Sequence, residues 1–138
     1  MADTHSKTVR SYNMSRIRSK DTRPEMLVRK YLFARGFRYR LHDSRLPGKP
    51  DLVLRKYHTV IFIHGCFWHA HENCRYAVMP KSNTSYWQVK IAGNTARDAA
   101  ADEKLTALGW KIIVIWECRL KKSLAEAALD ALAAAILK

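Results

Sequence analysis

At 138 residues the chain has the length of one compact domain, and two would be cramped. Its 48% hydrophobic and 27% charged residues exclude general disorder, and no apolar run reaches the ~18 residues of a membrane span. A formal net charge of +13, from 25 Lys and Arg against 12 Asp and Glu, points to polyanions and above all to nucleic acid; a solubilising basic surface, or a membrane or heparin contact, is the alternative.

The charge is uneven: residues 1–58 carry 15 Lys and Arg against 5 acids, a net of +10. The opening, MADTHSKTVR, lacks the apolar core of a signal peptide, so a cytoplasmic chain is expected. Residues 1–20 are polar and basic with little periodicity, and Lys7, Arg10, Arg16, Arg18 and Lys20 make them an arm suited to phosphate. Residues 21–138 then form a single domain. Its first predicted helix starts at Thr22-Arg23-Pro24-Glu25, where Thr22 can cap the free amides and Glu25 complete a capping box. Leu27, Tyr31 and Ala34, with Val28 and Leu32 beside them, make its apolar face, and Gly36 suits its end.

Three strands follow. FRYRL (37–41) alternates apolar and basic residues, LPGKP is a turn, and DLVLR (51–55) and TVIFI (59–63) read as a hairpin, the latter apolar enough to be central. Beyond a Cys/His loop, residues 85–108 carry helical periodicity up to Gly109. WKIIVIWE (110–117) is nearly continuous apolar sequence, which predicts a strand covered on both faces. AEAALDALAAAIL reads as a last helix, with Leu124, Ala128, Leu132 and Ile136 on one face. The order, helix, three strands, helix, strand, helix, predicts an α/β fold with a mixed central sheet flanked by helices.

The loop His64-Gly-Cys-Phe-Trp-His-Ala-His-Glu-Asn-Cys74 is the densest chemistry in the chain. Cys66, His71 and Cys74, with the distant Cys118, supply three thiolates and an imidazole, a tetrahedral set suited to structural zinc. An odd number of cysteines in a reducing compartment argues against disulfides. His64 and His69 compete with His71 for the ligand position, and plain burial of the cysteines is the alternative. A histidine left over beside such a staple is a candidate for chemistry. Asp51, after Lys49-Pro50, is an acid on a basic surface, which suits magnesium; a turn Asp bonding its own backbone explains it equally well.

The strings MSRIRSKDTRPE, LPGKPDLV, FIHGCFWHAH, NTSYWQVKIAGNTARD and GWKIIVIWEC, in this order, closely resemble the very short patch repair (Vsr) DNA mismatch endonucleases, over about residues 9–120. The resemblance implies a restriction-endonuclease-like PD-(D/E)xK variant with an αβββαβ core and a structural zinc site. It implies an enzyme of the bacterial nucleoid that nicks double-stranded DNA 5′ of the thymine at T:G mismatches left by 5-methylcytosine deamination. In that reading Asp51 and the Ile63 carbonyl hold Mg2+, His69 activates water with His64 assisting, and Glu25 is the first-helix acid near the centre. Cys66, His71, Cys74 and Cys118 hold Zn2+. No D/E-x-K follows Asp51, since Ile63-His64-Gly65 stands there, so a histidine mechanism replaces the lysine one.

Paired aromatics are more often core than ligand contacts, but a stapled loop on a basic protein is a poor place for core. A wedge between base steps costs a few kcal/mol per step, less at a mismatch. The resemblance places Phe67, Trp68 and Trp87 as that wedge, with Tyr86 beside them, and puts Asn94, Arg97 and Asp98, which helical spacing can turn to one side, near the DNA and the active centre; a solvated helix face is the alternative. It implies cooperation with mismatch-repair proteins; a small domain making one nick is expected to be a monomer. The alternatives are a nuclease of the same fold acting on ordinary duplex, and a zinc-stabilised DNA-binding module without catalysis.

Overall fold

The computed structural model of the chain describes residues 21–138. The basic arm, with Arg16, Arg18 and Lys20, lies outside them. In chain order the elements are α1 (Arg23–Ala34), β1 (Arg40–Leu41), β2 (Leu52–Leu54), β3 (Thr59–His64), α2 (Thr84–Ala107), β4 (Lys111–Trp116) and α3 (Ala125–Leu137). The sheet runs β1-β2-β3-β4, antiparallel except for the parallel β3–β4 pair. This is the mixed α/β arrangement the hydrophobic pattern predicts, with TVIFI inside the sheet.

Period-2 alternation sorts the strand side chains between two layers. Leu52, Leu54, Ile61 and Ile115 face α1 and α3, packing with Val28, Leu32, Leu129, Leu132 and Ile136. Val53 and Val60 face α2 and meet Leu105. Each such side chain, fully buried, contributes about 1.5–3 kcal/mol. By the same parity Ile63 joins the first layer, while His64 falls on the α2 side at the end of β3.

Four expectations need correction. The buried stripe of α1 is Glu25, Val28 and Leu32, whereas Leu27 is 37% exposed and Ala34 lies outside it. A charged residue inside an apolar stripe is what pattern reading passes over. The first strand is only Arg40–Leu41, because Phe37 turns into the core directly after the helix. Strand β4 is an edge strand, with Val114 40% exposed: a cleft separates Ile112 and Val114 from α2. On α3 the face is Leu129, Leu132 and Ile136, and Leu124, 53% exposed, precedes the helix. Gly36 and Gly109, with φ of +91° and +89°, take the left-handed conformation that ends α1 and α2.

Candidate active site and metal centre

Asp51 enters β2 where the β2–β3 ladder stops, since Leu52 is opposite Ile61 and no further pair follows. Its Oδ2 therefore accepts the free Ile63 N–H at 2.7 Å. Burial pushes the Asp51 carboxyl up to about 6, partly offset by the Ile63 amide, with the neighbouring Glu25 charge pushing the same way as burial. A half-buried carboxylate so held fits a cation, which would relieve its desolvation. Glu25, 2% exposed, lies across the same cleft of about 680 Å3 as Asp51, Ile63, Trp68, His69 and Trp87. The capping box is half formed: the Glu25 amide donates to Thr22 Oγ1 at 3.4 Å, but its carboxylate receives Asp21 N–H at 3.3 Å rather than the cap residue's own amide. Arg29 Nη1 also donates to Glu25, at 3.2 Å.

His64 and His69 meet face to face on the α2 side of the sheet. Their ring centroids are 3.8 Å apart and their planes 3° from parallel. His69 Nδ1 lies 2.6 Å from Asp98 Oδ2. An ionised carboxylate only accepts, so the pair keeps a proton on Nδ1, and in the neutral ring Nε2 carries the lone pair. His64 is 8% exposed, and its Nδ1 has no partner among the described residues. Burial, followed by the adjacent His69, lowers the His64 pKa to about 4, so its ring stays neutral. A second cleft, about 450 Å3, shares Asp51, Ile63 and His69 with the first, so these three form the wall between the two.

The loop after β3 separates the remaining histidine from this pair. Cys66 Sγ, Cys74 Sγ, Cys118 Sγ and a His71 ring nitrogen all lie within 4.8 Å of one another. Bond lengths of ~2.0–2.3 Å around a tetrahedral zinc would draw such atoms to roughly 3.3–3.8 Å apart, so a small contraction suffices. Cys118 Sγ is already 3.5 Å from His71 Nδ1. The cluster is assembled by backbone and stacking: His71 N–H donates to the Cys66 carbonyl at 3.0 Å, the His71 ring stacks on Trp116 at 4.0 Å, and Cys66 N–H donates to Glu117 Oε1 at 3.4 Å. Burial pushes the Cys66 thiol up to about 12, a cost a cation at the cluster's centre would remove. The four residues could thus hold a metal ion.

Phe67 and Trp68 leave the same loop and meet Trp87 of α2. The three rings pack edge to face, with centroids 5.1 to 5.7 Å apart, and Tyr86, 59% exposed, adds an edge contact to Trp87. Asn94 Nδ2 donates to the Trp68 carbonyl at 2.9 Å, and the exposed Arg97 donates to Asn94 Oδ1 at 2.6 Å. Asn94 and Asp98, one turn apart, thus grip two successive loop residues, Trp68 and His69. Sequence reading puts Asp98 near the DNA and the active centre, on the same helix side as Asn94, but gives it no partner; its pairing with His69 is the structure's addition. Nothing local marked Glu117.

Residues 2–75 match the family described as DNA mismatch endonuclease Vsr. The chain is 53% identical over 121 residues to the type II nicking enzyme V.NmeAIP of Neisseria meningitidis, covering 88% of this chain and 86% of that one. It is 48% identical over 120 residues to V.XorIIP of Xanthomonas oryzae, with 87% and 88% covered. The DNA mismatch endonuclease Vsr of Escherichia coli is 42% identical over 121 residues, with 88% and 77% covered. Together with the acid-and-histidine cleft, these likenesses define a DNA-nicking hydrolase. The chain belongs to the Vsr family of DNA mismatch endonucleases.

Proposed function

We propose that the protein nicks double-stranded DNA 5′ of the thymine in a T:G mismatch, by metal-assisted phosphodiester hydrolysis. The observation that carries this is the joint position of Asp51, His69, Trp68 and Trp87 along one cleft, with Asp98 bonded to His69 and Phe67 packed on both indoles. A nuclease of unspecific duplex has no use for an aromatic cluster braced directly beside its base.

Asp51 and the Ile63 carbonyl would hold magnesium, which would supply charge stabilisation at the phosphate and at the departing oxygen. Asp98 fixes the His69 tautomer, so Nε2 takes a proton from water as its oxygen attacks phosphorus and the P–O bond of the scissile linkage breaks. His64, neutral and stacked on His69, adds no repulsion to the imidazolium that forms, and its polar edge is available to the phosphate. Cys66, His71, Cys74 and Cys118 would hold zinc, which would tie the loop to the end of β4 so that His69 and the aromatic wedge share one rigid base. The basic arm, through Arg16, Arg18 and Lys20, neutralises phosphates beyond the cleft. A cytoplasmic monomer acting beside mismatch-repair proteins on DNA fits this reading.

The test is an end-labelled nicking assay on T:G and matched duplexes side by side, with and without magnesium. A nick confined to the thymine strand of the mismatch and dependent on the metal is expected; equal cutting of matched DNA overturns the mismatch reading.

A further inference from the structure

His42 has no part in the chemistry proposed above, yet it is bonded to both acidic residues of the cleft, to the Asp51 main chain and to the Glu25 carboxylate. It follows β1 with φ of +47°, a left-handed conformation uncommon for a non-glycine residue and one that clusters at functional sites. Its backbone N–H donates to the Asp51 carbonyl at 3.1 Å, carrying the β1–β2 pairing one residue beyond Leu41 and Leu52. The turned backbone sends its side chain to the first turn of α1. There Nε2 lies 2.9 Å from both Glu25 oxygens, the two side chains being 14% and 2% exposed.

A buried carboxylate is costly unless paired, and among the described residues Glu25 has two side-chain partners, His42 and Arg29. Their effects differ. Arg29 Nη1 also bonds Asp21 at 2.7 Å and draws Glu25 toward the exposed start of α1. Among the described residues, His42 alone is bonded to the Asp51 strand and to Glu25 at once. We infer that His42 is a positioning residue of the metal centre. By gripping the Asp51 carbonyl with its amide and both Glu25 oxygens with its ring, it fixes the separation of the two carboxylates and keeps Glu25 turned toward a divalent cation at Asp51. This rests on the magnesium reading of Asp51. Loss of the ring frees Glu25 to swing to Arg29, which weakens cation binding while leaving the DNA surface untouched.

The test uses the full chain with Mn2+ as the probe, its binding read by electron paramagnetic resonance as the signal that Asp51→Asn abolishes. Groups that orient metal ligands typically change metal affinity 10- to 100-fold when removed, so His42→Leu is expected to weaken Mn2+ binding roughly 10-fold or more. The magnesium needed for half-maximal nicking rises in parallel, and KM for T:G duplex stays unchanged. His42→Gln, which keeps a donor of similar reach, restores most of the affinity. Should His42→Leu not fold, His42→Asn replaces it, since its shorter amide does not reach Glu25. Mn2+ affinity equal to wild type in the Leu or Asn variant overturns the role of His42, as does equal loss in the Gln variant. Absence of any Asp51-dependent Mn2+ signal in the wild type instead overturns the magnesium site itself.

Discussion

His64 and His69 are stacked 3.8 Å apart, but a carboxylate orients only His69. Removing the imidazole in His69→Ala is expected to lower kcat by roughly 10²- to 10⁴-fold, the usual worth of a general base, with mismatch binding retained. Asp98→Asn offers the ring an amide that also donates, which loosens the tautomer; kcat should fall roughly 10-fold or more at unchanged KM. Single-turnover nicking beside a binding titration checks both, and a His69→Ala rate near wild type removes His69 from the chemistry.

Asp51 is held where it is costly to ionise. Its carboxyl titrates near 6 in the folded chain against 3.8 for a free one, so between those values the folded state binds more protons than the unfolded state. Stability therefore falls as pH rises from about 4 to 6, and the full penalty, of order 2–3 kcal/mol, persists above that window. Asp51→Asn retains an oxygen for the Ile63 amide and removes the penalty. Without added magnesium it should melt a few °C higher at pH 8 while losing all nicking. Superimposable melting curves for the two proteins across this range contradict the assignment.

Zinc content offers a separate check. Cys118→Ala, in the turn after β4, is expected to release the metal, lower Tm and abolish nicking, because the loop carrying His69 loses its tie to the sheet. Elemental analysis of the purified wild type, with zinc absent or unaffected by this substitution, counts against a structural zinc.

The aromatic cluster should govern discrimination rather than rate. Trp68→Ala is expected to weaken T:G binding by the ~1–3 kcal/mol typical of a base-stacking ring, while affinity for matched duplex changes little. Asn94→Ala, which frees the Trp68 carbonyl, should give a smaller loss of the same kind, about 1 kcal/mol. Equal losses on matched and mismatched DNA mean the rings are packing alone.

Deleting residues 1–18 removes Lys7, Arg10, Arg16 and Arg18. Affinity should drop, and the slope of log K against log salt should flatten by about 0.9 for each phosphate the arm no longer neutralises. A salt titration with unchanged slope rejects a phosphate-binding role for the arm.

Much of this was legible before folding. The mixed sheet, the β2–β3 hairpin and the glycine stops at Gly36 and Gly109 follow from alternation and turn chemistry, which act over a few residues. The motif around HGCFWH was dense enough to mark metal and catalytic candidates. Less legible was the burial of Glu25, because a carboxylate at an N-terminus has a sufficient local reason to be there. The edge position of β4 was equally hidden: an apolar run reads as covered whether a helix or an open cleft lies over it.

By itself, the sequence determined which residues are available: the cations, four potential soft-metal ligands, two further histidines, an acid at a strand entry and a group of aromatics. It left three histidines competing for one ligand position. The resemblance already gave His71 to zinc and His69 to the chemistry; the tertiary structure sets the two rings apart physically, because Cys118 past the end of β4 lies beside His71 while α2 brings Asp98 to His69. Hydrogen bonds and metal bonds act over about 2–3 Å, and partners 29 and 47 positions apart reach that range only after the sheet has closed. His42 between Glu25 and Asp51 is the same lesson in its sharpest form: an ordinary residue in the chain, made consequential only by what folding sets beside it.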